Sequence, residues 1–418
     1  MTRDERQEIA RVKWIKNHCK GTLVQPTGAG KTVTALKCLQ SIINKYPTLR
    51  ILVVVPTDNL KNQWRIQLDT WGMEFSAEVQ VINSVVKNNW TVDILVLDEC
   101  HRYASETFSL VFKQVKYKYI LGLTATFDRL DGKQELIRKY CPVVDEIPLI
   151  EAKLNHWVAD YKEYLVVLQT DDINTYKDYN KSFIASFEFF NFDWNFAMSM
   201  KGPTGYIAQN SYRDKLCPNG SREEKLSVLK TIKYHSANFM RMVQKRKAYI
   251  NNHPKKIEVA RRIIEARSNS KIITFSNNIK MAESIGMNGQ VYTGKDSKKK
   301  ARANLEEFNS AQTGLIHSCS KLNEGADIKG LNVGIILGLD SSEIKAVQRR
   351  GRCIRFEKDK VAEIFNLVID QTVEMEWFKK GHPNHDYITI DEKGLQDVLL
   401  GKEPQPYKKK LKNFTFRF

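Results

Sequence analysis

The stretch Gly21–Leu36, GTLVQPTGAGKTVTAL, restricts the fold more than any other part of the chain. An apolar run leads into a turn with two glycines, and helical spacing starts at Lys31. A buried strand that turns tightly into a helix opens a βαβ unit, the building block of doubly wound parallel sheets. In such a turn backbone N–H groups converge on an anion, and the helix N-terminus adds positive potential. Gly28 and Gly30 allow close backbone approach, Lys31 can neutralise β- and γ-phosphate charge, and the Thr32 hydroxyl can ligate Mg²⁺. The loop Pro26, Thr27, Gly28, Ala29, Gly30, Lys31 and Thr32 therefore predicts an ATP site. The general pattern has Gly at position 25, where this chain has Gln.

Further strands are expected at RILVVVP (50–56), AEVQVIN (77–83), DILVLD (93–98) and YILGLT (119–124), with amphipathic segments between them. Pro142 and Pro148 flank the end of this alternation, so residues 1–147 read as one α/β domain. The pattern resumes at KIITFS, QVYTG, TGLIHSCS, NVGIILGL and AEIFNLVI, a second domain expected over 148–375. Its first strand is expected early, at EYLVVLQ (163–169).

The run ILVLD ends in Asp98, followed by Glu99, Cys100 and His101. A nucleotide-bound Mg²⁺ needs a carboxylate at the end of a strand neighbouring the phosphate loop, and Asp98 supplies one. Glu99, one residue on, can polarise the attacking water. Cys100 reads as a packing residue, and His101 as a link to the second domain. A zinc site would need more ligands at suitable spacing, and none stands out.

Charge points the same way. The 66 Lys+Arg against 48 Asp+Glu leave a net +18, which predicts a polyanionic partner. Half of that excess lies in Thr175–Lys256, an aromatic, helical-looking insert with 15 basic and 6 acidic residues. A basic extension follows over 376–418. No apolar run approaches the roughly 20 residues that span a bilayer, and the charged N-terminus lacks a signal-peptide core. The seven cysteines form no C-x-x-C pair, so neither a disulfide framework nor structural zinc is expected. A cytoplasmic monomer with no membrane partner is the expectation.

PTGAGKT, DECH, LGLTAT and QRRGRCIR, in that order, resemble the motifs of superfamily 2 helicases. VVVPTDNLKNQW looks like motif Ia, VINS like Ib, ITFS like IV and NEGAD like V, and the likeness runs over about residues 3–375. LGLTATFDRLDG resembles the corresponding stretch of the XPB-like and phage UvsW-like (DExH) DNA helicases, with Phe127 in place of the usual Pro. The separate N-terminal module of UvsW-type proteins is not expected here, because the core begins within a few residues of Met1.

The resemblance implies two RecA-like domains and assigns roles by position. Gln348, Arg352 and Arg355 would face ATP from the second domain, stabilising charge on the transferred phosphoryl group when the domains close. Gln7 matches an adenine-reading glutamine, although an exposed glutamine on a helix would look the same. Asp327 matches the motif V acid near ATP. Pro56, Thr57, Ser84 and Ser276 match positions touching the nucleic-acid backbone. His101, Thr124, Thr126 and Gly325 would couple ATP to the domain interface. In the insert, Lys245, Arg246 and Lys247 are expected to track phosphates. Its aromatic run, Phe183 to Phe196, is open to two readings: a packed core, from the i, i+4, i+7 spacing of Phe183, Phe187 and Phe190, or stacking on unpaired bases.

The implied activity is ATP-dependent unwinding or branch migration of forked and branched DNA, with replication or recombination proteins as partners. A motor that remodels nucleoprotein without separating strands, and an RNA helicase, remain alternatives.

Overall fold

The computed structural model describes residues 1–127, 132–202, 204–292, 298–319, 328, 330–339, 343–353, 361–382, 386–405 and 407. Side chains at 298, 299, 301, 302, 343–345, 348 and 352 are outside that description.

Fifteen strands are described: β1 (Lys20–Val24), β2 (Ile51–Val55), β3 (Ala77–Val81), β4 (Trp90–Thr91), β5 (Ile94–Asp98), β6 (Val115–Lys116), β7 (Tyr119–Thr124), β8 (Val143–Glu146), β9 (Asp160–Leu168), β10 (Lys271–Ser276), β11 (Gln290–Tyr292), β12 (Gly314–Cys319), β13 (Val333–Ile336), β14 (Val361–Ile369) and β15 (Ile388–Ile390). The first sheet has the order β3-β2-β5-β7-β1-β8, with parallel pairing throughout. Its strands are near-continuous apolar runs because helices cover both faces: β2 and β5 are buried at every position. One face packs with Trp14, Leu36, Leu39, Trp64 and Leu68, the other with Ile82, Tyr103, Val111 and Ile137.

This order has a consequence for chemistry. β1 and β5 are separated only by β7, so three C-terminal strand ends carrying the phosphate loop, Thr124 and Asp98 lie side by side. Ligands of open α/β sheets bind at that edge.

The second sheet runs β11-β12-β10-β13-β14-β9-β15. β9 therefore belongs to it, as the early strand at EYLVVLQ predicts. The last strand comes from the expected basic extension, which also holds the helix Glu392–Leu399.

Two compact units are formed. One comprises Met1–Leu165, Arg261–Asn366 and Glu376–Ile388; the other comprises Val166–Ala260, Leu367–Met375 and Thr389–Phe418. In the second unit the helices Ile173–Glu188, Trp194–Ser199, Gly205–Leu216 and Arg222–Asn251 enclose an aromatic core of Phe183, Phe187, Phe190, Tyr212 and Phe239. The stripe spaced i, i+4, i+7 is thus packing, while Phe192 and Trp194 are exposed at its edge. The stem of this insert is tied at both ends: the Asp172 carboxylate accepts from Tyr249 Oη at 2.8 Å and lies 3.1 Å from His253 Nε2. A hydroxyl bond from Thr170, with the bonds from His253 and Tyr249, brings its carboxyl down to about 2.

Candidate nucleotide site

The phosphate loop connects β1 to the helix Lys31–Ile43. Gly28 and Gly30 have φ of 93° and 95°, a region closed to most side chains. At Gly30 space is limiting as well: a Cβ there would lie 2.5 Å from Gln7 Nε2. Gln7 is buried and directs Nε2 to the Ala29 carbonyl at 3.4 Å, so it is not the exposed helix glutamine of the alternative reading.

Its neighbour Arg6 explains the placement. Arg6 donates to both oxygens of buried Asp145 at 2.8 and 3.2 Å, and to Glu151 at 2.9 Å, anchoring the helix Arg3–Lys16 to β8. The two carboxylates hold the Arg6 guanidinium above its ordinary value despite burial. Gln25, the departure from the general pattern, is buried and accepts from Thr34 Oγ1 at 3.0 Å, while its N–H donates to the Thr124 carbonyl at 2.9 Å. It ties the strand end to the following helix and to β7.

Lys31 Nζ lies 3.1 Å from Glu99 Oε1. Glu99 has φ 50° and ψ 51°, an uncommon backbone for a side chain of this size, immediately after the strand end at Asp98. Asp98 is buried, and one oxygen accepts from Trp64 Nε1 at 2.8 Å while the other accepts the Glu99 N–H at 3.0 Å. Burial, and then the Glu99 charge, push its carboxyl up to about 6, against the opposing pull of Lys31 and Trp64.

His101 joins this group to β7. Its Nδ1 is 3.0 Å from Thr124 Oγ1 and 3.5 Å from Glu99 Oε2. Thr124 Oγ1 donates to the Thr126 carbonyl at 2.6 Å, so its single hydrogen is committed and His101 Nδ1 is the donor between them. These contacts of His101 run across the first sheet, from the end of β5 to β7. Cys100 is a buried core residue, its thiol pushed well up by burial. Among the described residues no cluster of three His, Cys, Asp or Glu side chains could hold a metal.

The helix Glu343–Cys353 carries Gln348 and Arg352, whose side chains lie outside the described residues, as do Gly325, Asp327 and Arg355 altogether. Two other arginines of this run face inward. Arg349 donates to the Gly338 carbonyl at 2.5 Å, and buried Arg350 to Glu163 at 2.7 Å. Gly351 abuts the phosphate loop, since a Cβ there would meet Thr27 Cβ at 2.4 Å. A cavity of about 620 Å³ lies here, lined by Pro26, Thr27, Thr126, Phe127, Arg350 and Gly351 among others. Phe127 is buried under the Arg138 guanidinium, 5.1 Å from its ring, so the phenyl ring is accommodated where a Pro was expected.

The expected nucleic-acid contacts divide. Pro56 lies in the turn after β2, and Thr57 caps the helix Asp58–Thr70, accepting the Leu60 N–H at 3.4 Å. Ser84 is exposed in the short helix Ile82–Val85. Ser276 is a correction: it is buried with its hydroxyl 3.0 Å from the Asn278 carbonyl and 3.3 Å from that of Ser318, so the hydroxyl expected to reach a phosphate is bonded within the fold. Arg246 is a second correction. It is buried, with its guanidinium 4.1 Å from the Phe183 ring centre and 3.4 Å from Tyr176 Oη. Helical geometry turns it opposite to Lys245 and Lys247, which are exposed.

Comparison with known proteins agrees with this geometry. The family model "Type III restriction enzyme, res subunit" matches residues 2–91 and 83–129, and "Helicase conserved C-terminal domain" matches 255–357. The chain belongs to superfamily 2 of the helicases and is an ATP-hydrolysing enzyme that acts on nucleic acid. It is 26% identical over 394 residues to the DNA 3'-5' translocase XPB2 of Sulfurisphaera tokodaii, covering 89% of this chain and 82% of the relative. It is 24% identical over 418 residues to a protein of Acanthamoeba polyphaga mimivirus named as an ATP-dependent RNA helicase, covering 94% and 68%. In fold it is similar to the Hef helicase domain of Pyrococcus furiosus (TM-score 0.51, 16% identity, 89% and 96% covered). A second likeness is to S. cerevisiae Dbp5 bound to RNA and ADP BeF3 (TM-score 0.60, 12% identity, 94% and 91% covered). These likenesses support two parallel-sheet α/β domains of the RecA-like helicase kind.

The sequence marks Trp64 only as the end of NQW after motif Ia, a feature of the XPB-like branch, and gives Arg6 and Glu163 no signal beyond that of single charged residues.

Proposed function

We propose that the chain is an XPB-like, UvsW-like DNA translocase that uses ATP to separate or branch-migrate forked and branched DNA. Residues 1–147 and 148–375 act as its two motor domains, with the basic insert at 175–256. The observation that carries the catalytic part is the joined group Lys31, Glu99, His101 and Thr124 beside Asp98, at adjacent strand ends.

The residues present fit MgATP. Gly28 and Gly30 form a left-handed turn, tight against Gln7 at Gly30, and Thr32 with Asp98 offers a hydroxyl and one carboxylate, the few protein ligands Mg²⁺ takes alongside phosphate and water. When bound, Mg²⁺ neutralises charge on the phosphates. Phosphate entering the loop draws Lys31 from Glu99, which frees the carboxylate to accept a proton from the attacking water. As that O–H bond breaks, the water oxygen bonds to the γ-phosphorus and ADP departs. His101 bonds Thr124 and lies 3.5 Å from Glu99, so a change at Glu99 is passed to β7. Arg352 and Arg355 supply positive charge to the phosphoryl group.

The net +18 and exposed Lys245 and Lys247 support a polyanionic track, and the resemblance over LGLTATFDRLDG supports DNA. A second reading, an RNA helicase, is favoured by the mimivirus relative. Among the described residues no helix is long and apolar enough to cross a membrane. The test is ATP hydrolysis and strand displacement on forked, four-way, DNA-only and RNA-containing substrates. DNA forks and four-way junctions should stimulate both most strongly; stimulation by RNA alone would overturn the DNA assignment.

A further inference from the structure

Glu163 is a carboxylate wholly buried in β9, and such a charge persists only where it is paired and hydrogen-bonded. Its partners come from three separate segments. Arg350, on the helix Glu343–Cys353, gives Nε at 2.7 Å and Nη2 at 3.4 Å. Asn366 of β14 gives Nδ2 at 3.0 Å, and His382 gives Nε2 at 3.0 Å. The His382 ring is fixed in turn, with Nδ1 2.8 Å from the Phe378 carbonyl and its face 3.9 Å from the Phe378 ring. Both ring nitrogens are therefore held by fixed oxygens, one on Phe378 and one on Glu163. The paired charges hold the Glu163 carboxyl well below its ordinary range in spite of burial.

This knot lies beside the nucleotide loop, because Arg350 and Gly351 line the same cavity as Pro26 and Thr27. Arg350 gives Nε and Nη2 to Glu163, which anchors the helix that carries it. One turn of that helix carries Gln348 and Arg352. We infer that Glu163 and His382 are positioning residues, which act through Arg350 to set the pose of the helix bearing Gln348 and Arg352 against the phosphate loop. This inference rests on the proposed role of Arg352 in ATP hydrolysis. Its consequence is selective: the rate of the chemical step depends on the knot, whereas ATP binding depends on Gln7 and the loop of the first sheet.

The test uses the full chain with Glu163→Gln, which keeps size while removing charge, and His382→Gln, which leaves the Arg350 pair in place. Steady-state ATP hydrolysis with saturating DNA is measured beside melting temperature and hydrogen–deuterium exchange. Misplaced groups cost rate steeply, so kcat should fall about 10²-fold in Glu163→Gln and about tenfold in His382→Gln. KM for ATP should stay within about threefold, because uniform binding is untouched. Exchange should rise over residues 343–353 and stay level over 31–43. A lowered melting temperature with wild-type kcat and unchanged exchange over 343–353 in His382→Gln would overturn the inference. An Arg352→Ala variant, run in parallel, separates the two claims. If it retains full kcat, the role given to Arg352 fails; the exchange result still decides whether Glu163 and His382 hold the helix.

Discussion

Replacing Trp64 by Phe should loosen Asp98 without removing it. The indole N–H at 2.8 Å is one of the two donors the structure gives this buried carboxylate, the other being the Glu99 N–H at 3.0 Å. A hydrogen bond to a charged group contributes about 1.5–3 kcal/mol, and the smaller ring leaves a void worth on the order of 1 kcal/mol more. Part of that loss falls on folding and part on the carboxylate's readiness to take a cation. Burial and Glu99 already push the Asp98 carboxyl up to about 6, and Trp64 pulls the other way. Without the donor, protons compete better with Mg²⁺ for the same oxygens. If about half the lost bond energy is expressed there, roughly 1.1 kcal/mol, half-saturating Mg²⁺ rises about sixfold. DNA-stimulated ATP hydrolysis titrated with MgCl₂ reads this directly, and excess Mg²⁺ should recover most of kcat. An unchanged Mg²⁺ titration, with only a lowered melting temperature, would show that Trp64 serves packing alone.

Two other outcomes follow from the same geometry. Glu99→Gln keeps Asp98 and should bind ATP while losing turnover by about 10²-fold or more, measured by nucleotide binding beside hydrolysis; turnover within a few-fold of wild type refutes Glu99 as the base. Lys245→Ala with Lys247→Ala should weaken DNA binding and lower the salt slope by up to about two units, whereas Arg246→Ala should lower the melting temperature with the slope unchanged. A slope lowered by about one unit in Arg246→Ala would mean that Arg246 reaches the backbone after all.

The α/β architecture was legible because buried parallel strands must be apolar for several residues in a row. RILVVVP, DILVLD and YILGLT have no other stable reading between helical segments. The phosphate loop was legible for a similar reason: glycines at 28 and 30 are required where the backbone turns left-handed. These are local demands, met by neighbours in sequence.

What the letters left open depends on partners far apart in the chain. KRK at 245–247 is one charged run on paper, yet a helix turns successive residues by about 100°, and Phe183, some sixty positions earlier, claims Arg246 for the core. Ser276 matches a backbone-contact position, but the Asn278 and Ser318 carbonyls take its hydroxyl. Glu163 stands in a strand like any stray charge until Arg350, Asn366 and His382 gather on it from positions roughly two hundred residues away. Sequence alone determined which backbone elements form and where a phosphate can sit, because those follow from short-range sterics and periodicity. Tertiary structure alone decided which charges face a ligand and which are spent on one another, because burying a charge is tolerable only beside its partner, and the partner's place is a property of the whole fold.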